Sequence, residues 1–347
     1  MLVRNIDFKT QTKVSLIASL VSGGVGITMA LYHCGVWSLV GQQLSRQFFN
    51  SVLLWIYGKW RPLWEFSYKS FKDLFGFGSK LLLSGLIDVF YKNVYYIVIG
   101  RYYSATQLGQ YTRAEQFSTI FSSNLTSVVQ RVSYPVLSSI QEEPERLRDA
   151  YRKIIKVTML ITFALMFGLA AIAKPLIVIL IGEKWLMAVP FLQIICFSEM
   201  LYPLHAINLN ILQVRGYSGL FLKLEIVKKI IAVIPIMIGI FWGINYMLWG
   251  AVCISLVSYI LNSYYSGRLI DYSTVKQVKD IFPCFLVSSL VALLMWGITF
   301  LHFNFLVTLL LQVSVGILLA IVAYERMRLE EYKEIRRIIL SIIRKNS

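Results

Sequence analysis

This 347-residue chain is 57% hydrophobic and only 15% charged, with a mean hydropathy of +0.65. A soluble domain of that length would lack polar surface, so the composition excludes an ordinary soluble fold. The formal net charge of +16 does not mark a nucleic-acid binder, because the cations sit in short segments between apolar runs and not across one polar face.

A membrane-crossing helix takes about 20 mostly apolar residues, and about ten stretches qualify. They are residues 14–32, 36–57, 74–99, 108–136, 154–173, 188–212, 221–241, 246–265, 281–301 and 305–324. The expected fold class is therefore all-α: a polytopic membrane helix bundle. Residues 1–13 are polar, and no small-residue cleavage site follows the first apolar run, so no cleavable signal peptide is read. Between the fifth and sixth stretches, Pro175–Ile181 is too short to span. Closed by Gly182, it is expected to cap a surface.

Lys and Arg set the expected orientation. With a cytoplasmic N-terminus, the inner connections and the tail hold most of the 34 cations, against Arg101, Lys174 and Lys184 on the outer side. Both termini are then cytoplasmic, and the expected location is the bacterial inner membrane. The outer connections, such as "WGINYM" and "LHFNF", are barely turns, so no outer catalytic domain is expected. The stretch 57–74, with Pro62, Trp60 and Trp64, reads as a cytoplasmic linker. In the tail, Tyr332, Ile335, Ile338, Ile339, Ile342 and Ile343 recur at helical spacing among Lys333, Arg336, Arg337 and Lys345. That is a basic amphipathic helix suited to an anionic membrane surface or to the protein's own inner loops.

Cys34, Cys196, Cys253 and Cys284 form no close-spaced pair, and three lie in apolar runs. They read as small core residues and not as a disulfide or zinc framework. His33, His205 and His302 are scattered and read as loop or interface residues. No cofactor or metal site is expected.

The informative residues are the polar ones inside the spans, since charge there is expensive and by default marks a wet path or a partner helix. In the third span, Lys80, Ser84, Asp88 and Lys92 recur every four residues, and Asp88 and Lys92 can pair at i,i+4. The second carries Gln42, Gln43, Arg46, Gln47 and Asn50. In the fourth, Arg113 and Gln116 are helical neighbours, and Glu115 points elsewhere. Arg113 and Arg131 stand about five turns apart, which places both on one face. Lys228 and Lys229 are expected to snorkel to the inner interface. The ninth and tenth spans are almost wholly apolar. Some helices thus contribute a polar interior and others a plain exterior. The excess of cations suits an anionic, phosphate-bearing cargo.

The blocks "GVWSLVGQQL", "FGFGSKLLLSGL", "YYIVIGRYYSATQLGQYTRAEQF", "RVSYPVLSSIQEEPERLRDAYRKII" and "KPLIVILIGEKWLMAVPFLQI" occur in this order. Together they resemble the oligosaccharide flippases of the multidrug/oligosaccharidyl-lipid/polysaccharide exporter superfamily, in the branch serving exopolysaccharide and lipopolysaccharide assembly. The resemblance runs from Met1 to about Leu301. It implies two six-helix lobes around a cavity, and flipping of a polyprenyl-diphosphate-linked oligosaccharide by alternating access. Against that pattern, the sequence starts where the loop before the fifth span is expected. The implied division is 1–58, a partial first lobe of two spans; 59–73, a linker; 74–268, a complete six-helix lobe; 269–325, two C-terminal spans; and 326–347, the basic tail. Where relatives often read Arg-Asn-x-Asp-Asn, this chain reads Lys92-Asn93-Val94-Tyr95-Tyr96.

The expected substrate-binding residues are Arg46, Lys92, Arg113 and Arg131. Asp88 and Glu115 are the acids available for ion coupling. The expected partners are the polyprenyl-diphosphate-linked oligosaccharide and the lipid bilayer, with a polysaccharide polymerase and glycosyltransferases nearby and no nucleic acid. The competing readings are a drug or ion exporter of the same superfamily and a membrane-embedded polysaccharide polymerase or ligase. A cation exporter should favour acids over cations in its cavity. An enzyme should carry carboxylates or histidines in its connections.

Overall fold

A computed structural model describes residues 8–57, 67–68, 75, 89, 93–327 and 332. Every regular element among them is helical, and they fall into two compact units, Met1–Ser84 and Gly85–Ser347.

The first unit holds α1 (Phe8–Leu31) and α2 (Trp37–Tyr57), packed as a hairpin. The reversal uses left-handed backbone at His33 and Gly35, and the Cys34 amide donates to the Met29 carbonyl at 3.1 Å. Small residues let the helices approach closely. A Cβ added at Gly41 would stand 2.3 Å from the Met29 sulfur, and one at Gly26 would stand 3.1 Å from the Gln42 Cβ.

The second unit begins with helical residues 93–102, α3. It continues through α4 (Ala105–Ser139), α5 (Pro144–Ile181), α6 (Ala188–Glu199), α7 (Tyr202–Val214) and α8 (Ser218–Ile231). Then come α9 (Val233–Trp242), α10 (Ile244–Leu269), α11 (Thr274–Gly297) and α12 (Phe305–Arg326). The core sits around α5, which packs against α4, α6, α11 and α12 and buries Tyr151, Ile155, Met159, Phe163 and Met166.

Five helices are long and apolar enough to cross a membrane: Thr12–Leu31, Pro144–Ile181, Ile244–Leu269, Thr274–Leu301 and Phe305–Arg326. Two other expected spans are broken in the middle. Residues 188–212 are divided between α6 and α7, and residues 221–241 between α8 and α9. Proline explains both breaks. Pro203 and Pro235 lie just inside α7 and α9. Each lacks an N–H, and its ring would clash with the carbonyl four residues earlier in a continuous helix.

The opposite holds at Pro175. The expected separate piece Pro175–Ile181 is instead the last part of α5, which runs unbroken to Ile181. Ala173 and Ile177 are fully buried there. In an apolar setting, losing one hydrogen bond to proline is cheaper than exposing a whole turn of unpaired backbone. His205 is a helical residue inside α7 at its interface with α10, and His33 and His302 lie in connections, as expected of loop or interface residues. Two further expectations need correction. Of the cysteines, only Cys196 and Cys284 are buried; Cys34 and Cys253 are exposed, and none of the four is in a disulfide. Lys228 is held by an ion pair with Glu225 and does not simply snorkel.

Asp88, Lys92 and most of the linker and basic tail lie outside the described residues.

Candidate functional site

The site is built on α4. Its start is fixed by a capping box. The Ser104 hydroxyl accepts from the Gln107 amide at 3.1 Å, and the Gln107 side chain accepts from the Ser104 amide at 3.3 Å. This satisfies backbone donors that the first turn would otherwise leave open.

One face of α4 is buried through Tyr111, Ala114, Ser118, Ser122, Thr126, Ser133 and Leu137. These residues recur at three- and four-residue spacing, and most are small, so α6 and α7 pack closely. Polar clamps fix the rotation of α4 along its length. Gln110 donates to the Lys184 carbonyl at 2.7 Å, and Ser122 donates to the Glu199 carboxylate. Asn210 donates to the Ser133 hydroxyl at 3.1 Å.

With that face turned inward, the opposite face presents Arg113, Gln116, Ile120, Asn124, Ser127 and Arg131, all exposed. Both expected arginines therefore share one stripe, polar but for Ile120, on one continuous helix. They are 18 residues apart, which at 1.5 Å per residue is about 27 Å, close to the thickness of a bilayer's hydrocarbon core. One diphosphate cannot touch both at once. Arg113 donates to Gln116 at 2.9 Å and lies 5.5 Å from the centre of the Trp185 ring. Arg131 has no hydrogen bond or ion pair among the described residues.

Glu115 does not pair with Arg113. It is half-buried and accepts from the Tyr96 hydroxyl, while Tyr95 and Tyr96 both pack on the Tyr111 ring. Arg46 belongs to the first unit, where it is exposed and lines a groove of about 310 Å³ with Ser15, Gln43, Gln47 and Asn50. Lys92 and Asp88 fall outside the described residues.

Sequence reasoning passed over Glu199. The break after α6 leaves this acid at a helix C-terminus, where the dipole opposes negative charge, and Ser122 is its partner. It could have been found by the criterion applied to Asp88, an acid inside an apolar run. His205, read only as a loop or interface residue, also lies near this break. Its Nε2 lies 3.1 Å from the Ser255 hydroxyl, which itself donates to the Ser198 carbonyl beside the same break. Tyr151 and Ser266 both donate to Asn208 Oδ1, at 2.9 and 2.5 Å, joining α5, α7 and α10. Among the described residues, no group of three or more His, Cys, Asp or Glu could hold a metal ion.

The model of a family described as "Polysaccharide biosynthesis protein" matches residues 1–190. The chain is 25% identical over 321 residues to the teichuronic acid biosynthesis protein TuaB of Bacillus subtilis, covering 91% of this chain and 66% of that protein. It is 24% identical to the lipopolysaccharide biosynthesis protein WzxC of Escherichia coli, covering 62% of this chain and 45% of that one. It is 21% identical to the probable low-salt glycan biosynthesis flippase Agl15 of Haloferax volcanii, covering 79% of this chain and 59% of that one. The chain thus spans less than two thirds of the length of these relatives. In structure it is similar to the lipid II flippase MurJ in its inward closed conformation, with a TM-score of 0.71 and 13% identity, over 92% of this chain and 68% of that one. That likeness is one of fold.

Proposed function

This chain belongs to the family of polysaccharide biosynthesis proteins, and we propose that it translocates a polyprenyl-diphosphate-linked oligosaccharide across the bacterial inner membrane by alternating access. The observation that carries the reading is the exposed, mostly polar stripe of α4, bounded by Arg113 and Arg131, in a chain with five helices long and apolar enough to cross a membrane. A diphosphate leaving water must have its hydration replaced by cations and hydrogen-bond donors. Arginine supplies both and keeps its proton at any working pH.

The spacing of about 27 Å makes the two arginines successive stations. One meets the diphosphate near one membrane surface, and the other receives it near the opposite surface. Gln116, Asn124 and Ser127 offer polar contacts between them. Arg46, within the first unit, and Lys92 remain part of the proposed set of substrate-binding cations. Glu115 and Asp88 are the proposed coupling acids. The protein acts as a carrier and not as an enzyme, with both termini cytoplasmic. Polymerase and glycosyltransferases would be its neighbours.

The test uses the chain in its natural gene context. Arg113→Ala and Arg131→Ala should each abolish surface polysaccharide while the protein still reaches the membrane in normal amount. Wild-type polysaccharide in both variants would reduce the arginines to interfacial anchors and overturn the reading.

A further inference from the structure

A second basic site lies at one end of the second unit, where α5 and α11 begin. A cleft of about 400 Å³ is lined there by Arg148, Asp149 and Arg152 of α5 and by Asp271, Tyr272, Lys276, Lys279 and Asp280 of the α10–α11 turn and α11. One acid is fully engaged. Asp280 accepts from Arg152 Nε at 2.5 Å and Nη2 at 2.8 Å, and from the Tyr272 hydroxyl at 2.6 Å.

The other cations are not matched in this way. Arg148 lies 3.8 Å from Asp149 and 3.9 Å from Asp271, both beyond hydrogen-bond reach. Lys276 lies 3.9 Å from the Asp271 carboxylate, with a long contact of 3.4 Å to the Asp271 carbonyl. Asp271 itself is 85% exposed, so water screens these weak pairs. Lys279 makes no hydrogen bond or ion pair among the described residues. The first turns of α5 and α11 add the positive ends of two long helices. Three cations with unused donors thus face a space large enough for a phosphate headgroup.

Lys279 also stands beside an exposed apolar surface. Val275, Phe282, Leu286 and Leu293 of α11 are 76%, 52%, 41% and 60% exposed. Their spacing keeps them within about 20° of one line along the helix, and Lys279 stands about 40° from that line. An apolar stripe therefore runs from the cleft along a helix apolar enough to span the membrane.

We propose that this cleft binds the phosphate of an anionic glycerophospholipid whose acyl chains lie along the exposed stripe of α11. A basic pocket between spanning helices at a membrane surface has the chemistry to select such a headgroup. A zwitterionic lipid would bring its own cation against Lys276 and Lys279 and be disfavoured. The proposal is independent of the translocation reading, since none of its residues lies on α4.

The test titrates short-chain phosphatidylglycerol into the purified protein in neutral detergent, with retained lipid counted by native mass spectrometry. Wild type should bind it saturably and in preference to phosphatidylcholine. Lys276→Gln/Lys279→Gln should weaken phosphatidylglycerol binding about ten-fold or more, at roughly 1 kcal/mol per surface cation. Lys279→Arg should keep the affinity, and all variants should melt at the wild-type temperature without lipid. Equal affinity in wild type and the double variant, or no preference over phosphatidylcholine, would overturn the proposal. Full competition by equimolar inorganic pyrophosphate would also overturn it, by assigning the cleft to free phosphate compounds. Should the double variant misfold, Lys279→Gln alone carries the same comparison.

Discussion

The Ser122 hydroxyl donates to the Glu199 carboxylate, 77 positions along the chain, where α4 crosses the C-terminal end of α6. This contact holds an acid in place beside the break between α6 and α7. Replacing Ser122 by Ala leaves that carboxylate without its donor in an apolar setting, at an expected loss of about 1–3 kcal/mol. Thermal melting of the purified variant in detergent checks it, and an unchanged midpoint would mean that Glu199 has another partner. Glu199→Gln keeps the size and an accepting oxygen, so it should melt close to wild type.

Asn208 is a shared acceptor, and removing it strands the buried Tyr151 hydroxyl and leaves Ser266 only a long contact of 3.4 Å to the Ser263 carbonyl. Asn208→Leu should destabilise the second unit by more than Tyr151→Phe, which removes one hydroxyl and should cost about 1 kcal/mol. In the combination with Tyr151→Phe, the two losses should fall short of additivity, because both delete the same bond. Strict additivity of the unfolding midpoints would show that Tyr151 and Asn208 act independently.

Gly267 sits under the α10–α11 turn, where the Tyr272 amide donates to its carbonyl at 3.0 Å. A Cβ there would lie 2.6 Å from the Tyr272 carbonyl oxygen. The obstacle is backbone and cannot swing aside. Gly267→Ala should therefore cost about 1–3 kcal/mol. It should also loosen the cleft beside Tyr272, seen as faster amide exchange over residues 268–273. Gly23 has nothing within 4 Å of its Cβ position, so Gly23→Ala is the matched control and should be neutral or stabilising.

The proposed orientation, read from the charge pattern, puts the connection containing Ser67 on the cytoplasmic side. A cysteine at Ser67, in a background where Cys34 and Cys253 are replaced by Ala, should react with an impermeant maleimide only after the membrane is opened. Labelling in intact cells would invert the whole orientation.

Much of the fold was legible in the sequence because its determinants are local. Helix period and the preference of apolar side chains for the membrane are properties of each segment. The same periodicity placed Arg113 and Arg131 on one face of α4 and turned Glu115 away from Arg113, as the structure has it. The polar character of the α2 face around Arg46 was equally visible.

Other features depend on which helices meet. Pro175 and Pro203 are the same residue type in similar apolar runs, yet α5 continues through one while the chain breaks beside the other. Burial of Ala173 and Ile177 favours continuity at the first. At the second, the break sets Glu199 where Ser122 can reach it. Arg152 and Asp280 are 128 positions apart, and nothing in either segment names the other as its partner. Sequence alone determined the class of the protein, the period of its helices and the face on which the α4 arginines lie, because these are sums over neighbouring residues. The breaks, the polar clamps and the cleft between α5 and α11 were decided only by tertiary packing. A buried hydrogen bond or ion pair forms where the fold brings two distant groups together away from water.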